Sequence, residues 1–233
     1  KTFHNVSATL LGWGYQTQSS ADEGHESSDY HRTSNVNLGL RASYNYDHKY
    51  YADFSGALVH SAKLPEGNRN AFSPSVTLGL SKEKFMESVG FVDDLKITAS
   101  YAKLHQDLDI SDYYMYKGYF SDKGGWFQWY DGTVGGNTTG SKRGDNPNLD
   151  FITREEVRAG IDATLFNRLL RINANYFTQK TSGLLTQGAS TIYPSFFDLG
   201  TDLSFLPWIN YNEDKRTGFD FSLSANKKIG DFD

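Results

Sequence analysis

The chain has 233 residues, a formal net charge of −5, no cysteine and a high aromatic content of 15 Tyr, 16 Phe and 4 Trp. The absence of cysteine excludes disulfides and thiolate metal sites, and the scattered Lys and Arg argue against a nucleic-acid partner. No stretch approaches the roughly 18 apolar residues of a transmembrane helix, so a closed β-barrel is the only membrane-spanning structure open to this sequence.

Alternation of apolar and polar residues predicts about eight strands. The pattern is clearest between Asn35 and Tyr46, where the even positions are apolar or aromatic and the odd positions are polar or Gly. In chain order, the predicted strands lie near residues 3–17, 34–46, 50–60, 73–81, 94–105, 154–165, 169–184 and 216–229. Each strand would therefore have two chemically opposite faces.

The connections between these strands differ in length. Short turns follow the second strand, at residues 47–49, and the sixth, at Asn167-Arg168. The long polar or Gly-rich connections are residues 18–33, 106–150 and 185–213. Residues 82–93 are a longer connection on the short-turn side, with a short helix expected at 81–88. Short turns at one end and long loops at the other are typical of outer-membrane barrels.

The polar face of the predicted strands carries charged residues at mid-strand. A barrel predicts that these side chains line a wet lumen while the aliphatic residues of the same strands contact lipid. The predicted lumen-facing polar residues are Arg41, Asp53, Arg158, Asp162 and Arg171.

A run of residues around the first hairpin resembles the SusC/RagA family of TonB-linked outer-membrane transporters. The resemblance begins with Arg41-Ala-Ser-Tyr-Asn-Tyr46 followed by Lys49-Tyr50. Later matches, in order, are Gly67-Asn-Arg69, Phe72 to Val76, Gly79, Phe85-Met86, Leu95 to Tyr101, Asn146-Pro-Asn-Leu149, Glu155 or Glu156, Gly160, Leu165 to Leu169, Tyr176, Thr181 and Leu184-Leu185. The resemblance spans about residues 34–230.

This resemblance implies an all-β antiparallel barrel of about 22 strands closed by a plug. It also implies uptake of glycans or peptides with energy from TonB, and a SusD-like surface lipoprotein as partner. The chain is expected to be an internal segment of one barrel domain, without signal peptide, TonB box or plug, in the outer membrane of a Gram-negative bacterium. TonB would be contacted through the missing N-terminal region.

The longest loop concentrates aromatic residues that could contact a sugar or a peptide, because aromatic rings offer large flat apolar surfaces. The candidate ligand-binding residues are Tyr113, Tyr114, Tyr116, Tyr119, Trp126, Trp129 and Tyr130. The same rings could instead pack the loop on itself or against a lipoprotein, since Tyr and Trp also dominate protein interfaces. Both interpretations stay open at this stage.

Asp107, Asp109 and Asp112 could supply oxygen ligands to Ca²⁺, although the run lacks the Gly turn and terminal Glu of an EF-hand loop. A solvated acidic loop with no metal and no cofactor is the favoured interpretation. The chain contains no nucleophile elbow, metalloprotease motif or nucleotide-binding loop, so it is not expected to be an enzyme.

Two other architectures remain possible from the sequence. A complete barrel of eight strands would be a small structural or adhesive outer-membrane protein. A secreted β-sandwich would bind carbohydrate through the aromatic cluster from Trp126 to Tyr130.

Overall fold

The computed structural model describes residues 3–19, 31–81, 88–110, 114–121, 126–129, 131–132, 135–137, 140–188, 192–197 and 204–226. Side chains are not described for Ser19, His31 to Thr33, Tyr119, Ser121, Trp126, Asn137 and Ser195. The strands are β1 (His4–Ser19), β2 (His31–Tyr46), β3 (Tyr50–His60), β4 (Asn70–Ser81), β5 (Val92–Gln106), β6 (Tyr119–Ser121), β7 (Trp126–Phe127), β8 (Gly136–Asn137), β9 (Gly140–Arg143), β10 (Ile152–Leu165), β11 (Leu170–Thr186) and β12 (Ile209–Ala225). Two single-turn 3₁₀ helices span Glu66–Asn68 and Ser195–Phe197.

Eight of these strands form one antiparallel sheet in the order β1-β2-β3-β4-β5-β10-β11-β12. The other four form two small ribbons, β6 with β9 and β7 with β8, in the connection between β5 and β10. Two tight turns close neighbouring strands at the same end of the sheet. In the first, Asp47 and His48 have left-handed φ values of 50° and 57°, and in the second Asn167 has a φ of 57°.

The two faces of the sheet differ in chemistry, and the apolar side chains are more exposed than the polar ones. We call the apolar face the one that carries Leu40, Val76, Ile97, Ile161 and Phe221, and the polar face the opposite one. In β2 the bulky apolar side chains are exposed, as with Val36 at 61%, while the polar side chains between them are mostly half-buried. At the edge strand β1, Leu11, Trp13 and Tyr15 lie on the polar face.

The edge strands decide between the predicted architectures. Among the described residues, β1 and β12 each pair with one neighbour and not with each other, so the eight strands form an open sheet. The prediction of a complete barrel of eight strands is therefore wrong. The β-sandwich is also wrong, because no second sheet packs on the apolar face within the described part of the chain.

The buried hydrophobic cluster lies at the long-loop end of the sheet, beside the strands. Its members come from the β3–β4, β5–β6 and β9–β10 connections, namely Leu64, Ile110, Met115, Leu149 and Phe151. Val59, Ala71, Tyr116, Leu185 and Trp208 pack around them. We call this assembly the loop core.

The observed strands extend further toward the loop end than the alternation of residues predicts. β12 begins at Ile209 rather than near residue 216, and β11 continues to Thr186. The predicted helix at 81–88 lies almost entirely outside the described residues, since 82–87 are not among them. No helix among the described residues is long and apolar enough to cross a membrane.

Candidate functional site

The five charged residues predicted to share a face do so in the structure. Strand register carries the polar face from Arg41 and Asp53 through Thr77 and Ser100 to Arg158. On β10 and β11, Asp162 lies opposite Asn173, and Thr164 lies opposite Arg171.

Arg41 and Asp53 form one end of this polar surface. The Arg41 guanidinium donates a hydrogen bond from Nη2 to Oδ1 of Asp53 over 3.3 Å, and the Ser43 hydroxyl donates to the same oxygen. The Arg41 side chain is still 68% exposed, so its remaining donors are accessible to solvent or to a bound molecule.

A second cluster surrounds Glu156 on β10. Its carboxylate accepts from Arg154 Nη2 at 3.2 Å and pairs with Arg158 Nε at 3.3 Å. Arg154 also donates to the side-chain oxygen of Gln179 at 2.8 Å, and the Arg158 guanidinium lies over the ring of Phe177. Arg154 and Gln179 were missed by the sequence analysis. The signal that could have found Arg154 is its even spacing from Arg158 along β10, which places both side chains on one face.

Toward the short turns the polar face carries amides and hydroxyls. Asp162 accepts from Nδ2 of Asn173 at 2.6 Å, and Asn173 accepts from Asn175 at 2.8 Å. Asp162, Arg171, Asn173, Ser222 and Ser224 line an open depression of about 360 Å³. Donors, acceptors and both signs of charge therefore alternate along this face, a surface suited to polar cargo.

The loop end presents an aromatic pair built on a tight turn. The rings of Tyr114 and Tyr116 meet edge to face at 6.3 Å, and Nζ of Lys117 lies 4.6 Å and 5.9 Å from their centroids. Tyr114 has a left-handed φ of 59°. Such a geometry persists when surrounding contacts hold it.

Arg143 supplies those contacts. It is 6% exposed and donates from Nε to the carbonyl of Lys117 at 2.8 Å and from Nη2 to the carbonyl of Tyr114 at 3.0 Å. The side chain thus ties the Tyr114 turn to strand β9. We call Tyr114, Tyr116 and Lys117, held by Arg143, the tyrosine clamp.

Of the other five predicted aromatic residues, only Trp129 has a described side chain, and it does not join this clamp. Trp129 is 61% exposed and meets Phe127 edge to face at 5.3 Å. Tyr119 starts β6 and Trp126 starts β7. Tyr113 and Tyr130 lie outside the described residues. Of the three predicted ligand residues with described side chains, the structure brings together Tyr114 and Tyr116.

Asparagine side chains join the connections around the loop core. Asn146 donates to the carbonyl of Trp208 at 2.7 Å, Asn210 donates to that of Asp150 at 2.8 Å, and Asn68 donates to that of Leu149 at 3.0 Å. Each bond satisfies a backbone oxygen far away in sequence. The segments around the loop core, which carry the clamp, are therefore held together by hydrogen bonds as well as by packing.

The three aspartates considered as calcium ligands are only partly described. Asp107 accepts a hydrogen bond from the Ser61 hydroxyl, and Asp112 lies outside the described residues. Within the described ranges, no three His, Asp or Glu side chains gather in a way that could hold a metal ion. The solvated acidic loop stays a prediction, with a calcium site as its less favoured alternative.

Comparison with known proteins gives a family match over most of the chain. Residues 12–233 match the family described as TonB dependent receptor-like, beta-barrel. TonB-dependent receptor P26 of Formosa agariphila is 29% identical over 160 residues, which are 68% of this chain and 16% of that protein. TonB-dependent receptor P3 of the same organism is 25% identical over 204 residues, 85% of this chain and 19% of that protein.

Solved structures share the fold. The RagAB peptide importer in its closed-closed state matches 99% of this chain and 26% of its own, with a TM-score of 0.74 and 18% identity. The siderophore receptor PirA from Pseudomonas aeruginosa matches 93% of this chain and 35% of its own, with a TM-score of 0.59 and 13% identity. The chain thus spans less than a fifth of the two curated relatives and about a quarter of the RagAB chain.

Proposed function

Because the chain belongs to the family of TonB-dependent receptor-like β-barrels, we propose that it forms part of the wall of an outer-membrane importer driven through TonB. The family consists of outer-membrane barrels. The open antiparallel sheet of this chain is the geometry expected for one segment of such a barrel. The resemblance inferred from the sequence is confirmed at this level. The plug and the segment that contacts TonB are proposed to lie in other parts of the whole protein.

The exposed apolar face is the observation that carries this proposal. Side chains such as Leu10, Leu78 and Phe219 are 70%, 56% and 79% exposed, in rows that cross all eight strands of the sheet. Monomeric soluble proteins rarely expose contiguous apolar patches larger than a few hundred Å². Insertion into a bilayer accounts for this exposed apolar surface, because lipid covers the apolar face while the opposite face contacts water.

The polar face would then line the lumen. Arg41, Asp53, Arg158, Asp162 and Arg171 all lie on it, with the Glu156 cluster among them. A wall that alternates charge and hydrogen-bonding groups offers partners to glycans and to peptides alike. The proposed cargo is therefore a polar oligomer of one of these two kinds.

At the loop end, the tyrosine clamp is proposed to contact the cargo or a SusD-like lipoprotein that covers the mouth. The RagAB peptide importer shares the fold of this chain, which supports a two-component arrangement without identifying the partner. The clamp offers a cation and two aromatic rings on a braced turn, as a recognition surface requires. No catalytic role is proposed for any residue.

The experiment is uptake of fluorescent oligosaccharides and oligopeptides by cells that express the full-length receptor. Deletion of TonB should abolish uptake of the true cargo class. Tyr114→Ala with Tyr116→Ala should lower uptake several-fold at equal surface abundance, whereas the matched control Phe127→Ala, elsewhere in the same loop, should leave it near the parent value. Uptake that persists without TonB would overturn the importer proposal.

A further inference from the structure

The apolar face carries a groove on β10, β11 and β12. Its volume is about 410 Å³, and it is lined mainly by Ala159, Ile161, Ala174, Tyr176, Phe219 and Phe221. The strand register explains the shape of the groove. In one row across β10, β11 and β12 the residues are Ala159, Tyr176 and Phe219, and in the next row they are Ile161, Ala174 and Phe221. The two alanines leave a diagonal recess between aromatic walls.

Toward the loops, the pairs of β11 and β12 change in polarity step by step. Ala174 with Phe221 and Tyr176 with Phe219 are followed by Thr178 with Thr217 and then by Lys180 with Lys215. The two threonine hydroxyls are 3.2 Å apart. Four residues separate Phe219 from Lys215, which is about 13 Å along the strand. This order of apolar, aromatic, hydroxyl and cationic groups matches the order of groups along a lipid from its acyl chain to its head.

The cations at the top of this series belong to a short charged row. Lys103 pairs with Glu155 at 3.5 Å, and Lys180 pairs with Glu213 at 2.8 Å. Within the described residues, no carboxylate lies at ion-pair distance from Lys215, which is exposed. Lys215 is therefore the cation of the row that no described carboxylate neutralises.

We propose that the groove and Lys215 bind one anionic lipid, with an acyl chain along Ala159 and Ala174 and a phosphate at Lys215. The loop end of an outer-membrane barrel faces the outside, so the lipid comes from the outer leaflet and is a phosphorylated glycolipid. The hydroxyls of Thr178 and Thr217 lie at the level between chain and head, and lysines near the surface attract anionic heads. This inference rests on the membrane orientation proposed above.

The test is native mass spectrometry of the full-length receptor after incubation with lipopolysaccharide or with zwitterionic phosphatidylcholine. Ala174→Phe fills the recess and should lower the amount of bound lipopolysaccharide at least fivefold. Lys215→Gln should lower it by a similar factor while phosphatidylcholine binding stays unchanged. Ala174→Leu serves the same purpose if the Phe variant folds poorly.

Two controls add the same changes elsewhere. Ala42→Phe adds bulk on the apolar face of β2, and Lys49→Gln removes a cation at the short-turn end of the sheet; both should bind lipopolysaccharide like the parent. Equal loss in Ala42→Phe and Ala174→Phe would overturn the groove, and full binding by Lys215→Gln would overturn the assigned head site. Failure of the parent receptor to insert into membranes would instead overturn the proposed function.

Discussion

Replacing Ile161 by Arg should destabilise the folded barrel by about 2 to 4 kcal/mol, the cost of a cation on the lipid face near the bilayer midplane. Ile161 lies on the apolar face between Ile97 and Ala174. Its row on β10 runs from Val157 to Leu165, so it is four residues from either end. Four residues correspond to about 13 Å along the strand and, at a tilt of about 40°, to about 10 Å of depth.

A matched variant separates lipid exposure from general disruption. Asn175 lies at nearly the same depth but on the polar face, opposite Gly160 and Asp220. Asn175→Arg should therefore change the free energy of unfolding by about 1 kcal/mol or less. Val157→Arg, at the rim of the apolar row, should cost about 0 to 1 kcal/mol.

The assay is urea unfolding of the full-length receptor in lipid vesicles, followed by its heat-modifiable migration on gels. A loss of 2 kcal/mol lowers the ratio of folded to unfolded protein by a factor of roughly 30. Equal losses for Ile161→Arg and Asn175→Arg would refute the reasoning, because they would show that the two faces meet the same surroundings.

Three further predictions concern the loops and turns. Arg143→Ala removes the donors to two loop carbonyls and should destabilise this loop by about 1 to 3 kcal/mol. Amide exchange at residues 114–121 should become faster, and unchanged exchange there would contradict the prediction. Gly144→Ala would place a methyl group against the carbonyl oxygen of Phe205 and should increase cleavage of the loop core in limited proteolysis, whereas Gly67→Ala, which meets open space, should not. His48→Gly removes a side chain from a left-handed residue and should raise the free energy of unfolding by up to about 1 kcal/mol in urea, and a decrease would count against the turn geometry.

The sheet could be predicted from the sequence because its two faces meet different surroundings. In β10, aliphatic residues from Val157 to Leu165 alternate with Arg158 and Asp162, and this alternation fixes both the strand and its facing. The charged residues of the polar face were found for the same reason. The partner of Asp162, Asn173 on the neighbouring strand, required the register between strands, which alternation within one strand does not provide.

The loop end could not be predicted in the same way. β12 begins at Ile209, seven residues before the predicted start near 216, and the four consecutive charged residues Glu213 to Arg216 interrupt the alternation that would have marked its first part. The loop core joins Leu64, Ile110 and Leu149, which are far apart in sequence and follow no period. No sequence pattern marks Arg143 either, because it acts by donating hydrogen bonds to two backbone carbonyls in the connection between β5 and β6.

The orientation of β10 in the membrane is the most direct test of the central claim. The chain has no cysteine, so single cysteines can be introduced in turn at positions 157 to 164 and spin-labelled, provided that cysteines elsewhere in the full-length receptor are absent or replaced. Labels at 157, 159, 161 and 163 should be relaxed by oxygen dissolved in the bilayer, and labels at 158, 160, 162 and 164 by a water-soluble nickel chelate. Equal access of both reagents to both sets, or the reverse pattern, would contradict the account.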